Sequence, residues 1–347
     1  MTAARMTTTP AAGARTITRT LAALCLSFAL LVPTARAQVP AVPQVIDLWP
    51  EGALPAPPNN GPERVGSDGS ARGAVTNVSR PRIEVYRPAR PNGTAVLVLG
   101  GGGYFRIQVG TAARPVAQWL SALGVTTAVL YYRMPVDGWK AEAPFQDAQR
   151  AMRVLRAHAG ELGIDPARIG VIGSSAGANL GGIIATRADF AFYPPVDDVD
   201  AQPSRPDFLG MLYPVVSLRA PLDTTRSRRE LGTQPDAVEA YSVELHVDGR
   251  TPPTFLAHAA DDPIADVRHS LLMFDALREH EVPAELHVFE TGGHSWGLGK
   301  PGTAPSAWPR LFADWMRGHG WLPAPGTAPV AANSPAEADA DAAIDEN

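Results

Sequence analysis

The run Ile169-Gly-Val-Ile-Gly-Ser-Ser-Ala-Gly177 constrains this chain more than any other stretch. An apolar, β-prone segment stops abruptly in Gly173-Ser-Ser-Ala-Gly177, and small helix-compatible residues follow. G-x-S-x-G between a strand and a helix is the context of a nucleophile elbow, a sharp turn that lifts the central serine hydroxyl above a sheet. A glycine-rich surface turn can carry the same five letters, so the flanking elements and the partners elsewhere in the chain must decide. The spacing makes Ser175 the candidate nucleophile.

Both ends of the chain read as non-globular. Arg5, Arg15 and Arg19 form a basic start without acids, Leu21 to Val32 is apolar, and Ala35-Arg-Ala37 has small residues where a leader would be cut. This pattern predicts a secretory signal peptide over residues 1–37, too short in its apolar part to span a bilayer. The expectation is therefore an exported protein, periplasmic or extracellular. Cys25, the single cysteine, falls inside that leader, so the mature chain would hold no disulfide and no thiol nucleophile. Residues 324–347 are Ala/Pro-rich and acidic, with almost no large apolar side chain, and are expected to be disordered.

Residues 38–323 remain, enough for one α/β domain with a sizeable core. Arg82 to Tyr86 alternates like a half-buried strand, whereas Thr94 to Leu99 and Val125 to Tyr132 are continuous apolar strands of the kind buried on both faces. Helical patterns over Ala113 to Leu123 and Pro144 to Leu162 separate these strands from the elbow strand. Strands at Phe208 to Tyr213, Thr254 to Ala257 and Glu285 to Phe289 follow, with helices at His269 to His280 and Trp308 to Arg317. Such alternation predicts a mostly parallel, doubly wound sheet with helices on both faces, in a single domain. Gln38 to Gly73 reads as an extended surface segment, and Leu222 to Ser242 as a polar, partly helical insertion.

An activated serine needs a base and an orienting acid, which this architecture supplies in the chain order Ser, Asp or Glu, His. Of eight histidines, only His294 lies in a flexible loop after the last strands, in Thr291-Gly-Gly-His-Ser-Trp-Gly297. The strand Thr254 to Ala257 runs out toward Asp261-Asp262-Pro263, where either carboxylate is available. Position relative to the strand end favours Asp262, leaving Asp261 to cap the turn or the following helix. A developing oxyanion needs preorganised N–H donors. The amide of Ala176 is one expected donor, and Gly102 and Gly103 in Leu99-Gly-Gly-Gly-Gly-Tyr104 are the others.

No cofactor or metal is expected. H-E-x-x-H, C-x-x-C and phosphate-loop patterns are missing, and Asp197-Asp-Val-Asp200 reads as a solvated loop. With 30 basic and 35 acidic residues and no basic stripe, nucleic acid is not expected as a partner. No apolar run after residue 37 is long enough to span a membrane. Tyr104, Trp139 and Trp296 are aromatics that could line a sugar-accepting cleft.

From Leu48 to Trp315 the chain resembles the bacterial acetylxylan-esterase-like α/β hydrolases. The markers are Trp49-Pro-Glu-Gly52, Val75-Thr-Asn-Val-Ser79, Gly101-Gly-Gly-Tyr104, Asp147-Ala-Gln-Arg150 and Ile164-Asp-Pro-Ala-Arg-Ile169, followed by Ser175-Ala-Gly177, Pro206-Asp-Phe208, Tyr213-Pro-Val215, Thr251-Pro-Pro-Thr-Phe255, Asp261-Asp262 and Gly292-Gly-His294. The resemblance implies an α/β-hydrolase fold with Ser175, Asp262 and His294 as a triad. It also implies a secreted esterase acting on acetyl or other small acyl esters of plant polysaccharides such as xylan. Departures stand at Gly100, where a proline is common, and at Ser174, Ala178-Asn179 and Ser295-Trp296, all beside the expected catalytic groups. Other readings are a short-chain carboxylesterase, lipase or peptidase on the same fold, or a silent hydrolase-fold binding module.

Overall fold

The structure is a computed structural model that describes residues 42–58 and 61–324. The expected signal peptide, and all of the expected tail but Ala324, lie outside the described residues. Among those residues, eleven strands form two sheets. In chain order they are β1 (Gln44–Asp47), β2 (Arg64–Val65), β3 (Ala74–Thr76), β4 (Arg82–Tyr86), β5 (Gly93–Leu99) and β6 (Ile107–Gln108), then β7 (Thr126–Tyr131), β8 (Ile164–Ser174), β9 (Leu209–Leu212), β10 (Thr254–Ala259) and β11 (Ala284–Phe289). The large sheet runs β1-β4-β7-β5-β8-β9-β10-β11. From β7 to β11 every neighbouring pair is parallel, and only β4 runs against the rest, because β1 is antiparallel to β4 and so points the same way as the others.

The strand patterns follow burial. All residues of β5 and β7 are buried, consistent with their unbroken apolar sequences, whereas Arg82 and Glu84 of β4 alternate with buried Ile83 and Val85. The segment expected to be merely extended contributes the edge strand β1, paired with β4 from Gln44↔Val85 to Asp47↔Arg82. It is docked beyond that edge by Trp49, whose indole N–H donates to Asp147 at 2.8 Å, above the buried Arg133–Asp147 ion pair.

The principal helices are α1 (Arg114–Ala122), α2 (Ala143–Ala157), a single turn α3 (Ala159–Leu162), α4 (Ala176–Thr186), two short helices α5 (Arg226–Leu231) and α6 (Ala237–Ala240), α7 (Arg268–Glu279) and α8 (Trp308–Gly318). The one helix expected over 144–162 is thus divided at His158, and it ends on Gly163 in a left-handed conformation. Successive β8 side chains separate the two helical layers. Val171 packs under α4 at Gly181, whereas Ile172 points the other way, beside Gly210 and Phe312 of α8. Trp119 of α1 meets Trp308 of α8 edge to face at 5.3 Å, which joins those two helices in one layer.

Asp197 and Asp200 do not solvate their loop as expected. They pin it to α2, with Arg150 lying 2.6 Å from Asp197 and 2.9 Å from the buried Asp200. The second sheet, β2-β3-β6, is antiparallel and small. Its importance lies in position, because β6 leaves the glycine loop after β5 and closes it through a 2.8 Å bond from Gln108 N–H to Gly101 O. No helix among the described residues is long and apolar enough to cross a membrane.

Candidate active site

Ser175 stands between β8 and α4 with φ 54° and ψ −120°, a conformation that costs a non-glycine residue on the order of 1–3 kcal/mol. The neighbouring strand helps to hold it there, since its N–H donates to Leu212 O at 2.9 Å. The flanking glycines are required by close approach. A Cβ on Gly173 would lie 2.2 Å from Gly177 O, and one on Gly177 would lie 2.2 Å from Leu99 O. Strand, turn and helix can cross here only because both side chains are absent.

The parallel register brings the ends of β8, β10 and β11 to one edge of the sheet, and three distant segments meet there. His294 Nε2 lies 2.8 Å from Ser175 Oγ, and its Nδ1 lies 2.6 Å from Asp262 Oδ2. With Nδ1–H donating to the carboxylate, Nε2 is left as the acceptor for the serine proton. Tyr213 supports the imidazole edge to face, with ring centroids 4.8 Å apart. Tyr213 is itself buried, which pushes its phenol up to about 12.

Asp262 is the better satisfied of the two adjacent carboxylates. Its Oδ1 accepts the amides of Ile264 and Ala265 at 2.8 and 2.9 Å, while Oδ2 receives His294 and, at 3.2 Å, His258 Nε2. Burial acts to raise this carboxyl, but the bonds from His258 and His294 overcome it and hold the group well below the usual carboxylate range. Asp262 also caps the turn, a task expected of Asp261. Asp261 Oδ1 instead crosses to the histidine loop, where it accepts the amides of Gly292 and Gly293.

His258, near the end of β10, is a further partner that no sequence motif singles out. It is fully buried, and Nε2 lies 2.8 Å from Ala265 O, so that nitrogen carries the hydrogen and shares it with Asp262. Nδ1 then accepts from Ser270 Oγ–H at 2.7 Å. A chain of polar groups therefore runs from Ser175 through His294, Asp262 and His258 to Ser270. No motif letter announces its inner half, although the i, i+4 spacing of His258 and Asp262 is visible once the turn is known.

The glycine loop after β5 lies directly over the elbow. A Cβ on Gly101 would come within 2.9 Å of Ser175 Cβ, and its amide already donates to Ser174 Oγ at 3.2 Å. Gly102 and Gly103 follow with φ 128° and 63°, and among the described residues neither amide donates to a protein group. Ala176 is the first residue of α4, where a helix amide has no intrahelical acceptor. Three amides are thus available near one hydroxyl.

The cleft in front of Ser175 has a volume of about 800 Å³, and Gly102, Phe105, Arg106, Val215, Arg226 and Ile264 are among its lining residues. Tyr104, Trp139 and Trp296 do not line it, contrary to expectation. Tyr104 takes a positive φ of 60° and turns into the core, where its hydroxyl donates to Asn179 Oδ1 at 2.8 Å. Trp139 is buried with the Arg133 guanidinium 5.0 Å above its ring, and Trp296 packs behind Tyr213 at 4.5 Å. Among the described residues, no group of three His, Cys, Asp or Glu side chains is placed to hold a metal ion.

Comparisons with known proteins bear on the family and the fold. The BD-FAE family model matches residues 83–277, a span that includes Ser175 and Asp262 and stops short of His294. An acetylxylan esterase of Xylanibacter ruminicola is 26% identical over 232 residues, which are 65% of this chain and 45% of that protein. Endo-1,4-β-xylanase B of Butyrivibrio fibrisolvens is 29% identical over 209 residues, 57% of this chain and 32% of that one. The chain therefore spans less than half the length of these curated relatives. Among solved structures, an acetyl ester-xyloside bifunctional hydrolase from Caldicellulosiruptor lactoaceticus superposes with TM-score 0.68 at 33% identity, covering 81% of this chain and 99% of that one. A thermophilic esterase of Thermogutta terrifontis, solved with propionate bound, shares the fold with TM-score 0.64 at 22% identity, covering 82% and 97%.

Proposed function

The chain belongs to the BD-FAE family, acetylxylan-esterase-like α/β hydrolases, and from that premise we propose that it is a serine esterase for acetyl or other small acyl esters, with acylated plant polysaccharide as its substrate class. One observation carries the reading. Ser175 Oγ lies 2.8 Å from His294 Nε2, and Asp262 holds the opposite ring nitrogen at 2.6 Å.

In this mechanism Ser175 Oγ adds to the ester carbonyl carbon while its proton passes to His294 Nε2. The imidazolium so formed is stabilised by Asp262. Amides of Gly102, Gly103 and Ala176 receive the oxyanion of the tetrahedral intermediate. The carbon–oxygen bond to the alcohol then breaks as His294 returns its proton to the leaving oxygen, and water repeats the sequence to free the acid and Ser175. Export through the leader expected over residues 1–37 belongs to the same proposal, and the N-terminal sequence of the protein recovered outside the cytoplasm tests it.

Acetate release from acetylated xylo-oligosaccharides, with Ser175→Ala as control, tests the function. Release that disappears in the variant supports the reading. Turnover of nitrophenyl acetate without any release from the oligosaccharides would retain the serine chemistry and discard the polysaccharide. Failure on both, with no labelling of Ser175 by a fluorophosphonate, would leave a binding module.

A further inference from the structure

The mouth of the cleft is lined by three guanidiniums, from Arg106, Arg226 and Arg229, and by no carboxylate. Elsewhere in the protein, arginines such as Arg82, Arg114, Arg150 and Arg268 each meet an acid. Arg226 is matched by Glu230 one turn along α5, at 2.5 Å. Among the described residues, Arg106 and Arg229 have no carboxylate within ion-pair distance; Arg229 makes only a long 3.5 Å bond to Thr224 O. The Nε of Arg106 is shielded and has no acceptor among the described residues, so an anion in the cleft would be met by the terminal nitrogens of that guanidinium.

These charges sit close to the proposed reaction centre. The space a Cβ would take on Gly102 is filled by the backbone and Cγ of Arg106, and that on Gly103 by Cβ and Cγ of Arg226. Both guanidiniums lie over the Phe105 ring, at 4.9 and 4.7 Å. A planar fork beside an apolar surface fits a planar anion joined to an organic body better than it fits a neutral hydroxyl.

We propose that this cleft selects esters bearing a carboxylate, on either the acyl or the alcohol side, with Arg106 and Arg229 receiving the anion. The inference rests on the esterase reading and refines its substrate class. Matched ester pairs test it. On the alcohol side, 4-acetoxybenzoate is compared with the isosteric 4-acetoxybenzamide; on the acyl side, the nitrophenyl monoester of adipate is compared with nitrophenyl hexanoate.

In at least one pair the anionic member should be favoured by roughly tenfold in kcat/KM at low salt, with the preference shrinking as salt screens the site. That pair identifies the side on which the carboxylate sits. In Arg106→Gln/Arg229→Gln the ratio should fall to about one; being a ratio within one sample, it does not depend on how much of the variant folds. Equal turnover of both members by the unaltered protein, or a preference that survives the double substitution, would overturn the proposal while leaving the esterase reading intact. Absence of turnover with all of the esters would remove the esterase reading, and this inference with it.

Discussion

Asp261 Oδ1 lies 2.7 Å from the Gly293 amide, so the carboxylate adjacent to the one that meets His294 holds the histidine's loop and not its ring. Two consecutive acids thus divide one task. Asp262 turns inward to the imidazole and is enclosed by amides, whereas Asp261 reaches outward and fixes Gly292 and Gly293, the two residues that precede His294. The loop needs glycine flexibility to arrive and a fixed acceptor to stay.

The first prediction separates the two acids. Asp262→Asn leaves the ring in the wrong tautomer to accept the serine proton, and kcat should fall by about 10³–10⁴-fold. Asp261→Ala leaves the triad groups in place but frees their loop, so a loss of roughly tenfold in kcat/KM is expected. Steady-state kinetics on nitrophenyl acetate measure both. Equal losses would mean that the loop tether and the ring acceptor act as one unit.

A second prediction concerns His258, which touches Asp262 and cannot touch substrate from its buried position. His258→Leu removes one donor to the carboxylate and leaves Ser270 Oγ without its acceptor. Stability should fall by about 1–3 kcal/mol. The Asp262 carboxyl should rise toward the ordinary range, because burial would then be opposed chiefly by His294. With Asp262 held less firmly as the partner of His294, kcat should fall with KM unchanged. A purely structural role would lower the melting temperature without changing kcat of the folded enzyme.

Local signals carried most of what the sequence disclosed. The elbow, the glycine loop and His294 between glycines each declare themselves within a few residues, because the backbone there must do something only small residues allow. Continuous apolar strands such as β5 are equally plain. Features that depend on two distant segments were not legible. β1 has only Val45 and Ile46 to mark it, and its existence depends on the free edge of β4. Tyr104 looks like a cleft residue until its positive φ and the Asn179 acceptor are seen. Arg106 and Arg226 are 120 positions apart and meet only because Gly103 lets the loops touch.

A third prediction uses two glycines in opposite surroundings. Gly177→Ala would drive a methyl to 2.2 Å from Leu99 O in the sheet backbone, which cannot move without shifting β5. A loss of about 3 kcal/mol or more is expected, together with activity, since the elbow must open to relieve the clash. Gly160→Ala in the short turn α3 meets nothing within 4 Å and should stabilise by a few tenths to about 1 kcal/mol. Urea unfolding of the two variants reads the contrast. Similar midpoints would show that the sheet yields at the elbow.

The last prediction is a pH dependence of stability centred on His269. Its Nδ1 accepts the amides of Val216 and Ser217, each at 3.2 Å, which favours the neutral ring. Burial, followed by the neighbouring His258, pushes its titration down to about 4, with Arg268 acting the same way and Asp266 and Asp262 acting against it. In the unfolded chain an imidazole titrates near pH 6.5. On acidification below that point the unfolded state takes up a proton that the folded state refuses until about pH 4, so stability is lost across this window and levels off beneath it. The loss from this one ring is on the order of 3 kcal/mol. Asp262 adds little to it, because a depressed carboxyl keeps its contribution down to the ordinary carboxylate range, about 3.9, and loses it below that as the pH falls toward its folded-state titration. Melting temperature measured from pH 7 to 4 should therefore fall less steeply in His269→Gln, whose amide oxygen can accept the same N–H groups without titrating. Parallel slopes in the two proteins would show that the ring titrates normally in the fold.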